Sequence, residues 1–184
     1  MKEVRAFLAV NIDEALKGKI AASISGLNLT GVKWVRAKNL HLTLKFLDSI
    51  SENEIDKVVD TLNEILPKSS AFDIGFKGIG AFPNERKPKV IWIGVTNTEG
   101  LVRLQGMIED SLSVVGFKRE ERAFSPHLTI GRVTVGLSDF AKQPHRDTFY
   151  GDMTVDTVYL MKSELFPAGA EYSELKSFKL KKQG

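Results

Sequence analysis

The tetrapeptide His41-Leu42-Thr43-Leu44 recurs as His127-Leu128-Thr129-Ile130, and the two copies hold two of the chain's three histidines. Polar and aliphatic residues alternating at period two describe a half-buried β-strand. His and Thr leave one face and the two aliphatics the other. Each copy therefore packs a core on one side and presents chemistry on the other. If the copies belong to equivalent halves of one fold, two imidazoles and two hydroxyls meet across a shared cleft. That arrangement suits acid–base work on a phosphate.

The segments around the motifs alternate between strand and helix patterns. Residues 4–10 are compact and β-prone, and Asn11 or Asp13 can cap a helix carrying Leu16, Ile20 and Ile24 on one face as far as Gly26. Residues 32–36 read as a strand and 37–39 as a tight connection, a hairpin that would place Trp34 beside the His41 strand. Ser51 and Glu54 form a capping-box pattern ahead of Ile55, Val58, Val59, Leu62, Ile65 and Leu66, ending at Pro67. Phe72, Ile74 and Phe76 alternate, a Gly/Pro-rich loop over 80–88 carries Phe82, Arg86 and Lys87, and 90–95 is a further strand. Leu101, Leu104, Ile108, Leu112 and Val115 predict a third helix, closed by Gly116. Beyond the second motif, 137–146 is polar and ambiguous, whereas 153–161 and 173–180 each read as a strand. The motifs are 127 − 41 = 86 residues apart, close to half of the 184-residue chain. The order reads as a duplicated α+β unit forming one bilobal domain over residues 1–184, although outside the tetrapeptides there is little internal identity.

Several classes of function are disfavoured. Cysteine is absent, which removes disulfides and thiolate metal sites, and neither motif has His-x-His or His-x-x-x-His spacing. No metal or other cofactor is expected. A formal charge of +3 and a pI near 9.0 favour an anionic partner modestly, but Lys162, Lys176, Lys179, Lys181 and Lys182 supply much of that basic character near the end of the chain. No span approaches the 18 apolar residues of a membrane helix. A soluble, unprocessed cytoplasmic protein without a membrane partner is the expectation.

An imidazole titrates near pH 6.5, so two of them can act as base and acid in one step, while threonine supplies an uncharged hydrogen-bond donor. A strained 2′,3′-cyclic phosphate is open to attack without a metal. One His takes a proton from water and the other protonates the departing sugar oxygen, each contributing about 10²- to 10⁴-fold in rate. Lys45 shares strand parity with His41 and Thr43 and could face the cleft, or project into solvent from a strand end. Arg132 could grip phosphate through its guanidinium fork, but strict alternation places it opposite His127. It needs a bulge or a twist, which Gly131 can permit. His145 has no matching Thr and reads as surface loop. Phe7, Trp34, Phe82, Trp92 and Tyr150 are candidates for stacking on a base, or for the core.

With these residues quoted, the chain resembles the 2H phosphoesterase superfamily, and within it the LigT-like RNA 2′,3′-cyclic phosphodiesterases, an archaeal and bacterial branch also described as 2′-5′ RNA ligases. The resemblance runs through residues 5–10, 34–36, 39–47 and 124–132, and rests on the paired His-x-Thr-x motif. It implies a bilobal α+β fold, with two antiparallel sheets lining a central cleft and helices packed outside. It also implies hydrolysis of RNA cyclic phosphate ends to 2′-phosphates without a metal. By the same resemblance His41 is the proton donor to the leaving 3′ oxygen and His127 the proton acceptor from water, with Arg132 at the substrate phosphate. Thr43 and Thr129 would contact the phosphoryl oxygens. The implied partner is RNA with a cyclic end, tRNA halves included, acted on by a monomer. Two alternatives stay open: a reversible 2′-5′ ligase and a non-catalytic RNA-end binding module.

Overall fold

A computed structural model describes residues 3–27, 29–136, 140, 147–167 and 169–182. The first strand, β1 (Val4–Asn11), enters helix α1 (Glu14–Ser25), which is capped by Asp13: its carboxylate accepts from the Leu16 amide at 2.7 Å. A short strand β2 (Val32–Trp34) and a 3-10 turn (Ala37–Asn39) precede β3 (His41–Ile50), the first motif strand. Helix α2 (Glu52–Ile65) starts with the expected capping box between Ser51 and Glu54. The hairpin of β4 (Phe72–Phe82) and β5 (Val90–Thr96) leads to α3 (Glu99–Val114), whose chain leaves through Gly116 at positive φ. The second motif opens β6 (His127–Val133), and β7 (Phe149–Val155), β8 (Thr157–Phe166) and β9 (Gly169–Lys179) complete the chain.

The strands make two antiparallel sheets, in the orders β3-β1-β8-β9 and β2-β6-β5-β4-β7. The α+β expectation holds. Sheet order repeats: β3-β1-β8-β9 corresponds to β6-β5-β4-β7, each motif strand pairing with the strand that precedes a helix. The aliphatic partners in the motifs, Leu42, Leu44, Leu128 and Ile130, are all buried. They join one continuous core with Leu8, Ile91, Ile93 and the inner faces of all three helices, including Ile20, Leu62 and Ile108. Helices thus cover the faces opposite the histidines.

Three expectations change. Trp34 is not in a hairpin with the His41 strand, because β2 joins the other sheet and Trp34 lies opposite Gly131 of β6. A Cβ on Gly131 would stand 2.9 Å from the Trp34 ring, so the bare glycine is what admits this strand. Residues 153–161 are two strands in different sheets, since the chain crosses between them at Asp156 and buries Val155 and Val158 completely on either side. Gly80 belongs to β4 rather than to the loop, where it leaves room for the Trp92 indole lying across it. His145 lies outside the described residues.

Candidate active site

Each motif histidine is oriented by the same local device. His41 Nδ1 lies 2.7 Å from the Asn39 carbonyl oxygen, and His127 Nδ1 lies 2.7 Å from the Ser125 carbonyl oxygen. A carbonyl only accepts, so each Nδ1 carries the proton and each Nε2 is left for chemistry. In both cases the carbonyl is two residues upstream, where the chain enters the strand. His41 Nε2 also lies 3.1 Å from the Thr43 hydroxyl, which donates to it. Thr43 and Thr129 share the faces of His41 and His127, as period two demands.

A bulge then interrupts both strands at the same place. On β3, Thr43 pairs with Ala9 and Lys45 with Leu8, leaving Leu44 as the extra residue; on β6, Thr129 pairs with Trp92 and Gly131 with Ile91, leaving Ile130 extra. One extra residue reverses parity beyond it. Arg132 therefore returns to the face of His127 and Thr129, through a bulge rather than a twist, with Ile130 as the extra residue. Its counterpart on β3 is Phe46, which is 62% exposed. The bulge also carries Lys45 inward. Lys45 neither faces the cleft nor projects into solvent: it is buried, its ammonium 2.7 Å from Glu109 Oε2 on α3 and 2.7 Å from the Lys118 carbonyl.

The motif strands β3 and β6 approach one another, one from each sheet. Desolvation pushes the His41 pKa below its ordinary value, and the Arg132 guanidinium and Lys17 ammonium push it further the same way; the Asn39 carbonyl opposes them. Arg132 is carried by β6 of the second sheet and His41 by β3 of the first. The desolvation has visible walls: the Phe7 ring is 4.9 Å and the Tyr172 ring 5.2 Å from the His41 ring, and Phe46 lies 6.2 Å from Phe7. Phe82 lies edge-on to the His127 ring at 5.0 Å and packs on Trp92. Trp34 and Tyr150 join the core instead. Sequence reasoning missed Phe46 and Tyr172. Phe46 was findable only with the bulge, and Tyr172 only with the β8-β9 pairing.

No group of three or more histidines and carboxylates with metal-binding placement occurs among the described residues. Nor, among them, is any helix long and apolar enough to cross a membrane.

The sequence profile described as the 2′-5′ RNA ligase superfamily matches residues 16–165, a span that includes both motifs. The chain belongs to the 2′-5′ RNA ligase superfamily. Among its relatives in this superfamily, a protein from Archaeoglobus fulgidus is 35% identical over 179 residues, covering 95% of this chain and 99% of its own. A second, from Methanothermobacter thermautotrophicus, is 36% identical over 185 residues, covering 97% and 100%. Both are named RNA 2′,3′-cyclic phosphodiesterase. A Thermus thermophilus crystal structure, 26% identical, superposes with a TM-score of 0.82 over 98% of this chain and 100% of the other. The fold of Escherichia coli LigT is equally close, with a TM-score of 0.83 at 23% identity over 98% and 99%. This superfamily member thus has the LigT-like fold that its motifs imply.

Proposed function

We propose that this superfamily member hydrolyses the 2′,3′-cyclic phosphate at an RNA end to a 2′-phosphate, without a metal. The observation that carries the reading is the pair of identically oriented His-x-Thr motifs on facing strands, in a chain whose near full-length relatives bear the name of that activity. In this reading water attacks phosphorus as His127 Nε2 takes its proton. A new P–O bond forms, the P–O3′ bond breaks, and His41 Nε2 gives its proton to the 3′ oxygen. The two imidazoles then exchange protons with solvent. Thr43, Thr129 and Arg132 hold the phosphoryl oxygens, the guanidinium as a bidentate partner.

His41 must be protonated to serve as donor, and its surroundings disfavour that in the unliganded protein. A bound phosphate offsets the Arg132 charge and raises the His41 pKa, so substrate itself arms the acid. When His41 Nε2 gains its proton, the Thr43 hydroxyl hydrogen is released to point at phosphate.

The test is an oligoribonucleotide with a 2′,3′-cyclic end, incubated with the protein in EDTA. Complete conversion to the 2′-phosphate is expected; cyclic phosphate that persists beside folded protein counts decisively against the reading. His41→Ala and His127→Ala should each lower turnover by about 10²- to 10⁴-fold with smaller losses in binding. A non-catalytic binding module would retain its function in both variants. The superfamily description favours one second reading, reversible 2′-5′ ligation. It requires joined product from cyclic-phosphate and 5′-hydroxyl ends, with tRNA halves as the RNA to try. The proposal places a monomer in the cytoplasm.

A further inference from the structure

The His127 face of the second sheet continues well beyond the motif. Residues directly opposite one another on neighbouring strands share a face, so the pairings of His127 with Gly94 and of Gly94 with Lys77 form one row across β6, β5 and β4. The next row is Thr129, Trp92 and Gly80. Gly94 puts no side chain between His127 and Lys77, whose backbones are two strand spacings, about 10 Å, apart. Lys77, Gly80, Trp92 and Arg86 from the β4-β5 turn line a groove of about 890 Å³ beside the motif. Trp92 is joined to His127 through the Phe82 ring.

Charge and openness distinguish this side of the cleft. On the first sheet the His41 face is filled by a small packed cluster of Phe7, Ala9 and Met161 with Tyr159 and Tyr172 against it. On the second, Gly94 adds no side chain, the Trp92 indole lies across Gly80, and two cations border the space. Arg86 is exposed and pairs with no carboxylate among the described residues, and Lys77 has only a loose contact of 3.5 Å with Asp147, itself 92% exposed. Glu85 also lines the groove, giving it one acid against two bases.

We propose that this groove is a second phosphate subsite, in which Lys77 and Arg86 hold the phosphodiester on the 5′ side of the terminal nucleoside while Trp92 offers a stacking face to a base. The inference rests on the reading of the motif cleft as the site of the cyclic phosphate. A 2′,3′-cyclic phosphate caps one side of the last ribose, and the next phosphate of the strand leaves from the 5′ oxygen on its other side. A groove one ribose away with a lysine ammonium, an arginine guanidinium and an aromatic floor matches that chain. The protein thereby distinguishes an RNA end from a free cyclic mononucleotide.

The experiment compares a 2′,3′-cyclic mononucleotide, a short oligoribonucleotide with a cyclic end, and the same oligonucleotide with a neutral methylphosphonate as its last internucleotide linkage. Wild-type kcat/KM should be at least tenfold higher for the charged oligonucleotide than for the other two. Lys77→Gln combined with Arg86→Gln should erase that advantage, while mononucleotide turnover stays within twofold. The log–log salt slope should also fall in magnitude by about 0.7 for each lost phosphate contact. Equal rates on all three substrates in the wild type, or equal loss on all three in the variant, overturn the subsite. A parallel arm needs no turnover: binding of an oligoribonucleotide ending in a 2′-phosphate, followed by anisotropy, should weaken at least tenfold in the double variant. Binding that is unaffected there overturns the subsite independently. Binding that depends on Lys77 and Arg86 in a protein that hydrolyses none of the substrates would instead remove the hydrolase reading and leave the subsite standing.

Discussion

His41 is held between two demands. Its ring is wedged among Phe7, Tyr172 and the strand, which favours the neutral form, while its proposed work requires the charged one. The sign of the resulting pH dependence follows directly. With the folded pKa below the unfolded value of about 6.5, the unfolded chain binds the proton more readily. The stability contribution is therefore fully present above pH 6.5 and is lost as pH falls through the folded pKa. Urea midpoints measured across pH 7.5 to 5 should fall less steeply in His41→Gln than in wild type. Imidazole NMR should show His41 titrating below 6.5 and moving upward when inorganic phosphate is added. A free-protein value above 6.5, or no response to phosphate, would contradict both the burial argument and the arming of the acid by substrate. The histidines themselves were legible because four residues of strict alternation fix a face. The rings that tune His41 were not, since Phe7 and Tyr172 reach it only through β1 and β9, at sequence separations no local pattern encodes.

At the scale of the strand, the bulge does most to shape the site. One extra residue after each Thr sends Arg132 outward on β6 and Lys45 inward on β3. Reading by parity misplaced Lys45 for this reason: period two is a reliable guide only until the register slips. Once inward, the ammonium meets Glu109, whose carboxylate also receives the Gln105 amide at 3.2 Å and the Glu120 backbone N–H at 3.3 Å. The buried pair thus ties the first motif strand to α3 and to the segment 118–120 that leads toward the second. Removing one partner strands a buried charge, at a cost of about 3–5 kcal/mol, whereas removing both together can be close to neutral. Lys45→Met should accordingly lower the urea-derived stability by about that amount. Lys45→Met with Glu109→Gln should recover much of it. Additive losses in the double variant would show that the two groups act independently of one another. The remaining asymmetry has a similar cause. Gly131 has no side chain because Trp34 of β2 occupies the space, whereas β3 is an edge strand with room for Lys45 to turn toward α3. Three residues of strand pattern at 32–34 gave no means of choosing between the two sheets.

Across the whole molecule, neither sheet is a continuous piece of chain. The first takes β1, β3, β8 and β9, the second β2 and β4 to β7, so the chain crosses between them through α1, returns at 35–40, crosses again between β3 and β4 through α2, and last at Asp156. The crossing at 35–40 is fastened at both ends: the Val35 amide donates to the carbonyl of Ile130 in the second motif at 2.8 Å, and Arg36 and Lys38 both bond Glu171 of β9, at 2.6 and 2.7 Å. The Asn39 carbonyl that orients His41 lies in this same segment, so the geometry of the first histidine is set partly by the second sheet. A single apolar core then joins residues of both sheets with all three helices. Chains built this way have no half that can keep its core when the other half opens, and they unfold as one unit. Both tryptophans, Trp34 and Trp92, lie in the second sheet, which makes fluorescence a reporter of that sheet alone, while far-UV circular dichroism reports the whole. The two signals should give the same urea midpoint and slope. Lys45→Met, a lesion in the first sheet, should shift the fluorescence midpoint as far as the dichroism midpoint. A fluorescence transition that stays at the wild-type midpoint while the dichroism moves would mean that the two sheets melt separately, and the motif strands would then be held in register by their own halves rather than by the shared core.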